Sequence, residues 1–247
     1  MKIAIATSTR ADWGLLLPLA RELASRDHDI SVLATGMHLM PSLGHTVDEI
    51  AACGFDPLRI HAEGDMAHSA AAALTGFAGA LSSLQPDCLV LLGDRFEMLG
   101  VAAAALSLGI PIAHIAGGTA SEGALDDSVR HAITKMASLH LVETDLCRRR
   151  VVQMGEDPAK ILTCGAPGVW NALNVPLMSR AELEGSLGAS LPPHFFVATL
   201  HPATLEAASP LKRMQDFLDG IGDFMLSNPD YGVILTYPNN DVDPAPQ

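Results

Sequence analysis

Residues 86–97 read PDCLVLLGDRFE, and this stretch decides the fold class. Cys88–Leu92 is a run of apolar residues with no polar alternation, so the strand it forms must be covered on both faces. A strand buried on both faces belongs to a parallel sheet flanked by helices. Pro86 and Asp87 end the helix before it, because proline removes a backbone donor and disfavours helix in the residue ahead of it. Asp94, Arg95 and Glu97 then follow at the carboxyl edge of the strand, where open parallel sheets hold their ligands.

The same punctuation recurs outward in both directions. Strands are predicted at Lys2–Thr7, Ile30–Ala34, Cys88–Leu92, Ile112–Ile115, Leu139–Glu143 and Ile161–Cys164. Between them, helices are predicted at Gly14–Arg26, Val47–Cys53, Ala67–Leu84, Phe96–Leu108, Asp126–Ala137 and Asp145–Met154. This alternation gives an α/β chain with a Rossmann-like parallel-sheet domain over residues 1–170. Residues 171–194 hold three prolines and two glycines and read as a linker with a short helix at Ser179–Leu187. A second βαβ pattern occupies residues 195–247: strand Phe195–Leu200, helix Pro210–Ser227, strand Gly232–Tyr237. One βαβ unit leaves two sheet edges open and buries too little for its own core. The second Rossmann-like domain is therefore expected to be incomplete, and the chain to be a shortened form of a longer protein.

Composition narrows the function. A net charge of −13 over 247 residues excludes general nucleic-acid binding, which needs a basic face. The apolar share of 49% with 17% charged residues argues against disorder. Cys53, Cys88, Cys147 and Cys164 are widely spaced with no CxxC pair, as expected of reduced thiols in the cytoplasm. No uncharged apolar stretch is long enough to span a bilayer, and MKIAIATSTR lacks the apolar core of a signal peptide. The absence of a GxGxxG pattern argues against a dinucleotide cofactor, and no metal-ligand spacing stands out.

The chemistry-bearing segments follow strands. TSTRADWGLL after the first strand is either a phosphate cradle with Arg10 or an N-cap turn with a surface arginine. TGMHLMPSLG places His38 beyond the second strand, as a ligand group or as a loop histidine that caps a helix. Asp94 is either the N-cap of the next helix or a site carboxylate. The densest segment is GGTASEGALDDSVRHAITK, residues 117–135. It sets Glu122, Asp126, Asp127, Arg130, His131 and Lys135 around a glycine turn that opens a helix. Asp126–Arg130 and Asp127–His131 have the i,i+4 spacing of helix ion pairs, and the clustering also fits an anionic substrate. LHPATLE with His201, and LTYPNND with Tyr237, Asn239 and Asp241, close the strands of the second domain.

Taken in order, TGMH, GDRFE, the GG…EGALDDSVRHAITKMASLH run, LHPAT and TYPNND make the chain similar to a known family. It resembles the hydrolysing UDP-N-acetylglucosamine 2-epimerases of sialic-acid and related nonulosonic-acid synthesis. The resemblance implies a two-domain, glycosyltransferase-B-like fold with the UDP-sugar in the cleft and no cofactor or metal requirement. It also implies a cytoplasmic protein that is a homodimer at full length, with neither nucleic acid nor membrane as partner. The implied reaction eliminates UDP across C1–C2 to a glycal and adds water back with inverted configuration at C2. Such a reaction needs acid–base groups at C2 and cations at the departing diphosphate. By motif match, Asp94 and Asp126 are the acid–base residues, with Glu122 and His201 as further catalytic candidates. Arg10, Arg130 and His201 hold diphosphate charge, His38 lines the sugar pocket, and Glu97, His131 and Asn239 complete the substrate-binding set.

The sequence also departs from the pattern. Relatives usually read HI(H/E)GGE after the fourth strand, whereas this chain reads His114-Ile115-Ala116-Gly117-Gly118-Thr119. The carboxylate expected at 119 is missing, and Glu122 is offset by several ångströms from that place. The glycine usually found ahead of TR is Ser8 here. A non-catalytic UDP-sugar-binding relative and a glycosyltransferase of the same fold are the alternative readings.

Overall fold

The computed structural model describes residues 1–62, 64–121, 125–200 and 210–236. They form two compact units, Met1–Glu122 with Asp126–Asn174, and Gly123–Leu125 with the chain from Val175 onward. Among the described residues, seven parallel strands make the sheet of the first unit: β1 (Lys2–Thr7), β2 (Asp29–Ala34), β3 (Leu58–Arg59), β4 (Cys88–Leu92), β5 (Ile112–Ile115), β6 (Leu139–Val142) and β7 (Ile161–Thr163). Their order is β3-β2-β1-β4-β5-β6-β7, so the direction of winding reverses between β1 and β4. The crevice at such a reversal is where doubly wound sheets bind ligands.

The helices of this unit are α1 (Arg10–Ser25), α2 (Val47–Ala52), α3 (Met66–Leu84), α4 (Phe96–Ser107), α5 (Leu125–Met136), α6 (Asp145–Gln153) and α7 (Pro167–Asn174). Successive strand residues face opposite layers. Ala4, Ala6, Leu89 and Leu91 pack against Phe77 and Leu81 of α3 and Met98 and Val101 of α4. Ile3, Ile5, Val90 and Leu92 pack on the other face with Trp13, Leu16 and Ala20 of α1. This two-sided burial is the reason CLVLL has no polar alternation. The α3 and α4 helices meet at backbone distance: a Cβ on Gly100 would stand 2.1 Å from the Ala70 carbonyl oxygen.

Several boundaries differ from the sequence expectation. α1 starts at Arg10, four residues early, because Thr9 caps it: the Thr9 hydroxyl accepts from Asp12 N–H, and the Asp12 carboxylate accepts from Thr9 N–H. The T-x-x-D spacing of a capping box carried that information. The two-residue strand β3 lacks an apolar pattern because both its residues are exposed. Helix α7 runs across the expected domain boundary at residue 170 and into the segment 171–194 that the sequence suggests is a linker.

In the second unit, α8 (Arg180–Leu187) is closed by a capping box between Ser179 and Glu182 and by left-handed Gly188. Strands β8 (His194–Ala198) and β9 (Tyr231–Leu235) pair in parallel, with α9 (Pro210–Ser227) between them in sequence. Phe196, Phe224 and Tyr231 form an aromatic cluster with ring centroids 5.1–5.8 Å apart. No helix among the described residues is long and apolar enough to cross a membrane.

Candidate active site

The carboxyl ends of the sheet in the first unit carry two charged clusters. The first lies past β4, β5 and β6. Arg130, on the second turn of α5, is almost fully buried and pairs with Asp94, the second residue past β4. Its guanidinium also donates to the Thr119 carbonyl at 2.8 Å and to the Ser121 hydroxyl at 3.1 Å. Asp127 accepts from Ser121 N–H at 2.9 Å and stands 3.9 Å from Arg130 and 3.5 Å from the His131 ring. Burial lowers the pKa of Arg130, but the neighbouring Glu143 opposes that effect, and an arginine keeps its charge in any case. Asp94 does not cap α4, since Arg95 holds the cap position and makes no side-chain cap bond. Asp126 and Asp127 both lie inside the first turn of α5, where negative charge is favoured by the helix dipole.

His114 holds this cluster in register. It is fully buried, and its Nε2 lies 2.8 Å from the Gly93 carbonyl, the residue before Asp94. Its Nδ1 lies 3.2 Å from the Thr134 hydroxyl, whose single proton lies between that nitrogen and the Arg130 carbonyl, 2.8 Å away. Burial pushes the His114 pKa down to about 4, so the ring is neutral near pH 7. A carbonyl can only accept, which puts the single ring proton on Nε2. Gly117 is needed beside it, because a Cβ there would come within 3.1 Å of Nδ1.

The second cluster lies where β1, β2 and β4 end. Glu97 is 3% exposed, and its Oε1 lies 3.3 Å from Arg95 Nη2. Its Oε2 is buried without a hydrogen-bond partner among the described residues. Asp12 accepts from the N–H groups of Ser8 and Thr9 and from the Ser8 hydroxyl. Burial raises its pKa, although Arg95 and the hydrogen bonds pull the other way. Those N–H groups are thus engaged by Asp12, and Arg10 is an exposed residue paired with Glu49 at 3.0 Å. Of the two readings of TSTR, the structure displays the N-cap turn. His38 is fully buried, with Nε2 3.0 Å from the Thr7 hydroxyl and Nδ1 2.8 Å from the Thr46 hydroxyl. No part of its ring reaches solvent, so in this structure it braces the end of β1 instead of lining a pocket.

An apolar cavity of about 420 Å³ lies elsewhere in the same unit, lined by Leu15 and Leu19 of α1, Ile115, Leu141 and Trp170 of α7. None of the candidate charged groups among the described residues lines it. Glu122, His201 and Asn239, together with Tyr237 and Asp241, lie outside the described residues.

Residues 21–245 match the protein family described as UDP-N-acetylglucosamine 2-epimerase. The chain belongs to this family. Among its relatives, the GDP/UDP-N,N'-diacetylbacillosamine 2-epimerase (hydrolyzing) of Campylobacter jejuni is 35% identical over 224 residues, covering 88% of this chain and 58% of that protein. The UDP-N,N'-diacetylbacillosamine 2-epimerase (hydrolyzing) of Legionella pneumophila is 37% identical over 216 residues, 84% of this chain and 57% of that one. The crystal structure of UDP-GlcNAc 2-epimerase from Neisseria meningitidis, bound to UDP-GlcNAc, has the same fold: TM-score 0.80 at 13% identity, over 97% of this chain and 67% of that one. The chain spans less than two thirds of the length of the two curated epimerases.

Within this epimerase-family chain, the structure brings Asp94, Arg130 and Asp127 together and sets His131 beside Asp127. It puts Glu97 with Arg95 and leaves Arg10 apart from both clusters. Sequence reasoning passed over Glu143. That residue is the first past β6, and the Thr119 hydroxyl donates to its carboxylate at 3.1 Å. The rule that parallel strands present site residues at their carboxyl ends applied to it as much as to Asp94. It was masked because the predicted strand was drawn one residue too long.

Proposed function

We propose that the gene product carrying this chain is a hydrolysing UDP-sugar 2-epimerase, releasing UDP and a free 2-acetamido sugar inverted at C2. The observation that carries this reading is the Asp94–Arg130 pair at the carboxyl end of β4, its guanidinium buried and its carboxylate partly exposed, with Asp126 and Asp127 in the first turn of α5. A carboxylate fixed in place by a cation can take a proton from carbon only where the substrate brings that proton within reach. Arg130 and the start of α5 offer positive potential to the departing diphosphate. In this reading Asp94 and Asp126 are acid–base groups, and Arg10, His201, His131 and Asn239 contact the nucleotide or sugar. His38 and Glu97 shape the floor beneath. Family membership favours the epimerase over a glycosyltransferase. Thr119, which supplies no carboxylate, is what keeps a non-catalytic UDP-sugar binder as the second reading.

The names of the relatives support either UDP-N-acetylglucosamine or a UDP-linked 4-acetamido analogue as substrate. Cytoplasmic residence and a homodimer at full length belong to the same proposal. Incubation with each UDP-sugar, followed by chromatography of the products, tests it. Equal amounts of UDP and C2-inverted free sugar are expected. Recovery of intact UDP-sugar that binds, or transfer of the sugar to an acceptor, would overturn it.

A further inference from the structure

We propose that Glu143, just past β6, is an acid–base residue of this site, supplying a carboxylate that position 119 does not carry. The inference rests on the 2-epimerase reading above. Thr119 contacts both halves of the arrangement: its carbonyl accepts from Arg130 at 2.8 Å, and its hydroxyl donates to Glu143 Oε2 at 3.1 Å. Arg130 in turn holds Asp94. Asp94 and Glu143 are thereby linked as the two ends of one chain of contacts through Arg130 and Thr119. Among the described residues, the Thr119 hydroxyl is the only hydrogen-bond partner of the Glu143 carboxylate, and no cation is ion-paired with it. Glu143 is partly exposed, so it is not locked away in a structural ion pair.

The loop is shaped for this contact. Gly118 has φ +79°, and a Cβ on it would stand 2.6 Å from the Cys147 carbonyl oxygen. The loop therefore presses against the start of α6, and Arg150 donates to the Gly118 carbonyl from the same helix. Thr119 is delivered to Glu143 and to the Cys147 sulfur, 3.5 Å away. A second carboxylate at 119 would put two like charges within hydrogen-bond reach and favour a shared proton, leaving only one of the two ionised. A neutral hydroxyl at 119 and a carboxylate at 143 avoid that conflict.

Inversion at C2 needs groups on both faces of the sugar ring. One carboxylate takes the C2 proton. The C–H electron pair becomes the C1–C2 double bond, and the C1–O bond breaks with its pair leaving on UDP. The other group, as the acid, protonates C2 from the opposite face, while water adds its oxygen to C1. The proton water gives up restores that acid, and the first carboxylate returns its proton to solvent. Glu143 and Asp94 are the two groups, Glu143 taking the acid–base place that the motif match gives to Asp126.

The test measures UDP release, sugar product and UDP-sugar affinity for the gene product and its variants. Glu143→Gln is expected to lower kcat by roughly 10²–10⁴ with affinity little changed, and to remove the acid limb of the pH profile of kcat/KM. Glu143→Asp, which preserves charge, should retain part of the activity, and circular dichroism checks that each variant folds. The exchange variant Thr119→Glu/Glu143→Ser should be at least tenfold more active than Glu143→Ser alone. If the parent protein releases UDP and Glu143→Gln does so at the same rate, the role of Glu143 is refuted and the epimerase reading stands. If Glu143→Gln lowers kcat but leaves the pH profile unchanged, Glu143 only positions Thr119 and the proposal also falls. If the parent releases no UDP from any UDP-sugar it binds, the epimerase reading fails and this proposal fails with it.

Discussion

His38 and His114 make the stability of the fold depend on pH at the scale of single residues. Each is fully buried, and burial pushes each pKa from 6.5 to about 4. In the unfolded chain both bind a proton below pH 6.5, while in the folded chain they stay neutral until about pH 4. The unfolded state therefore gains protons first, and stability falls as the pH drops through that window. The loss is roughly 3 kcal/mol per histidine once the pH is below both values. Asp12 has the opposite sign, since its raised pKa favours the protonated folded form. Urea unfolding between pH 7 and pH 4 should show the fall, and His38→Gln should flatten it; an unchanged slope in that variant would refute the assignment. Breaking the Asp94–Arg130 pair gives a second expectation. Asp94→Asn leaves a nearly buried guanidinium without its counter-charge and should cost roughly 3 kcal/mol of stability. Activity measurements on that variant therefore need a parallel stability measurement.

The helices owe their boundaries to caps and their spacing to small residues. Thr9→Ala removes the hydroxyl that accepts from Asp12 N–H and should cost about 1 kcal/mol, read as a lower urea midpoint with an unchanged slope. Gly100→Ala is more severe. The added methyl meets the Ala70 carbonyl oxygen of α3, and backbone cannot move aside as a side-chain end can. A loss of about 2–3 kcal/mol is expected, with α3 and α4 both shifted. If Gly100→Ala unfolds at the same urea concentration as the parent, the two helices are less tightly packed than described. The apolar content of α3 and α4 was plain in the sequence. That one glycine sets their separation was not, because the clash is with a residue thirty positions earlier.

Across the whole molecule, the two units differ in how much they bury. The first has apolar layers on both faces of seven strands, whereas the second has β8 and β9 with many partly or fully exposed residues. Hydrogen exchange should accordingly be slowest in β1, β4 and β5, and faster by orders of magnitude in β8 and β9. Equal protection in the two sheets would mean that they unfold as one.

The sequence by itself determined the local and periodic features. Apolar runs such as Cys88–Leu92 and Ile112–Ile115 specified strands covered on both faces, and their alternation with helices specified a parallel doubly wound sheet. The clustering of Asp126, Asp127, Arg130 and His131 was legible because a helix brings near neighbours in sequence together in space. Only the tertiary structure decided partnerships across strands. Asp94 meets Arg130 over thirty-six positions, Thr119 meets Glu143 over twenty-four, and His114 reaches back to Gly93 over twenty-one. The order in which strands lie side by side sets those pairs, and neither composition nor period encodes it. His38 illustrates the converse. Its place after a strand was readable, but its complete burial between Thr7 and Thr46 depends on how the chain folds over it.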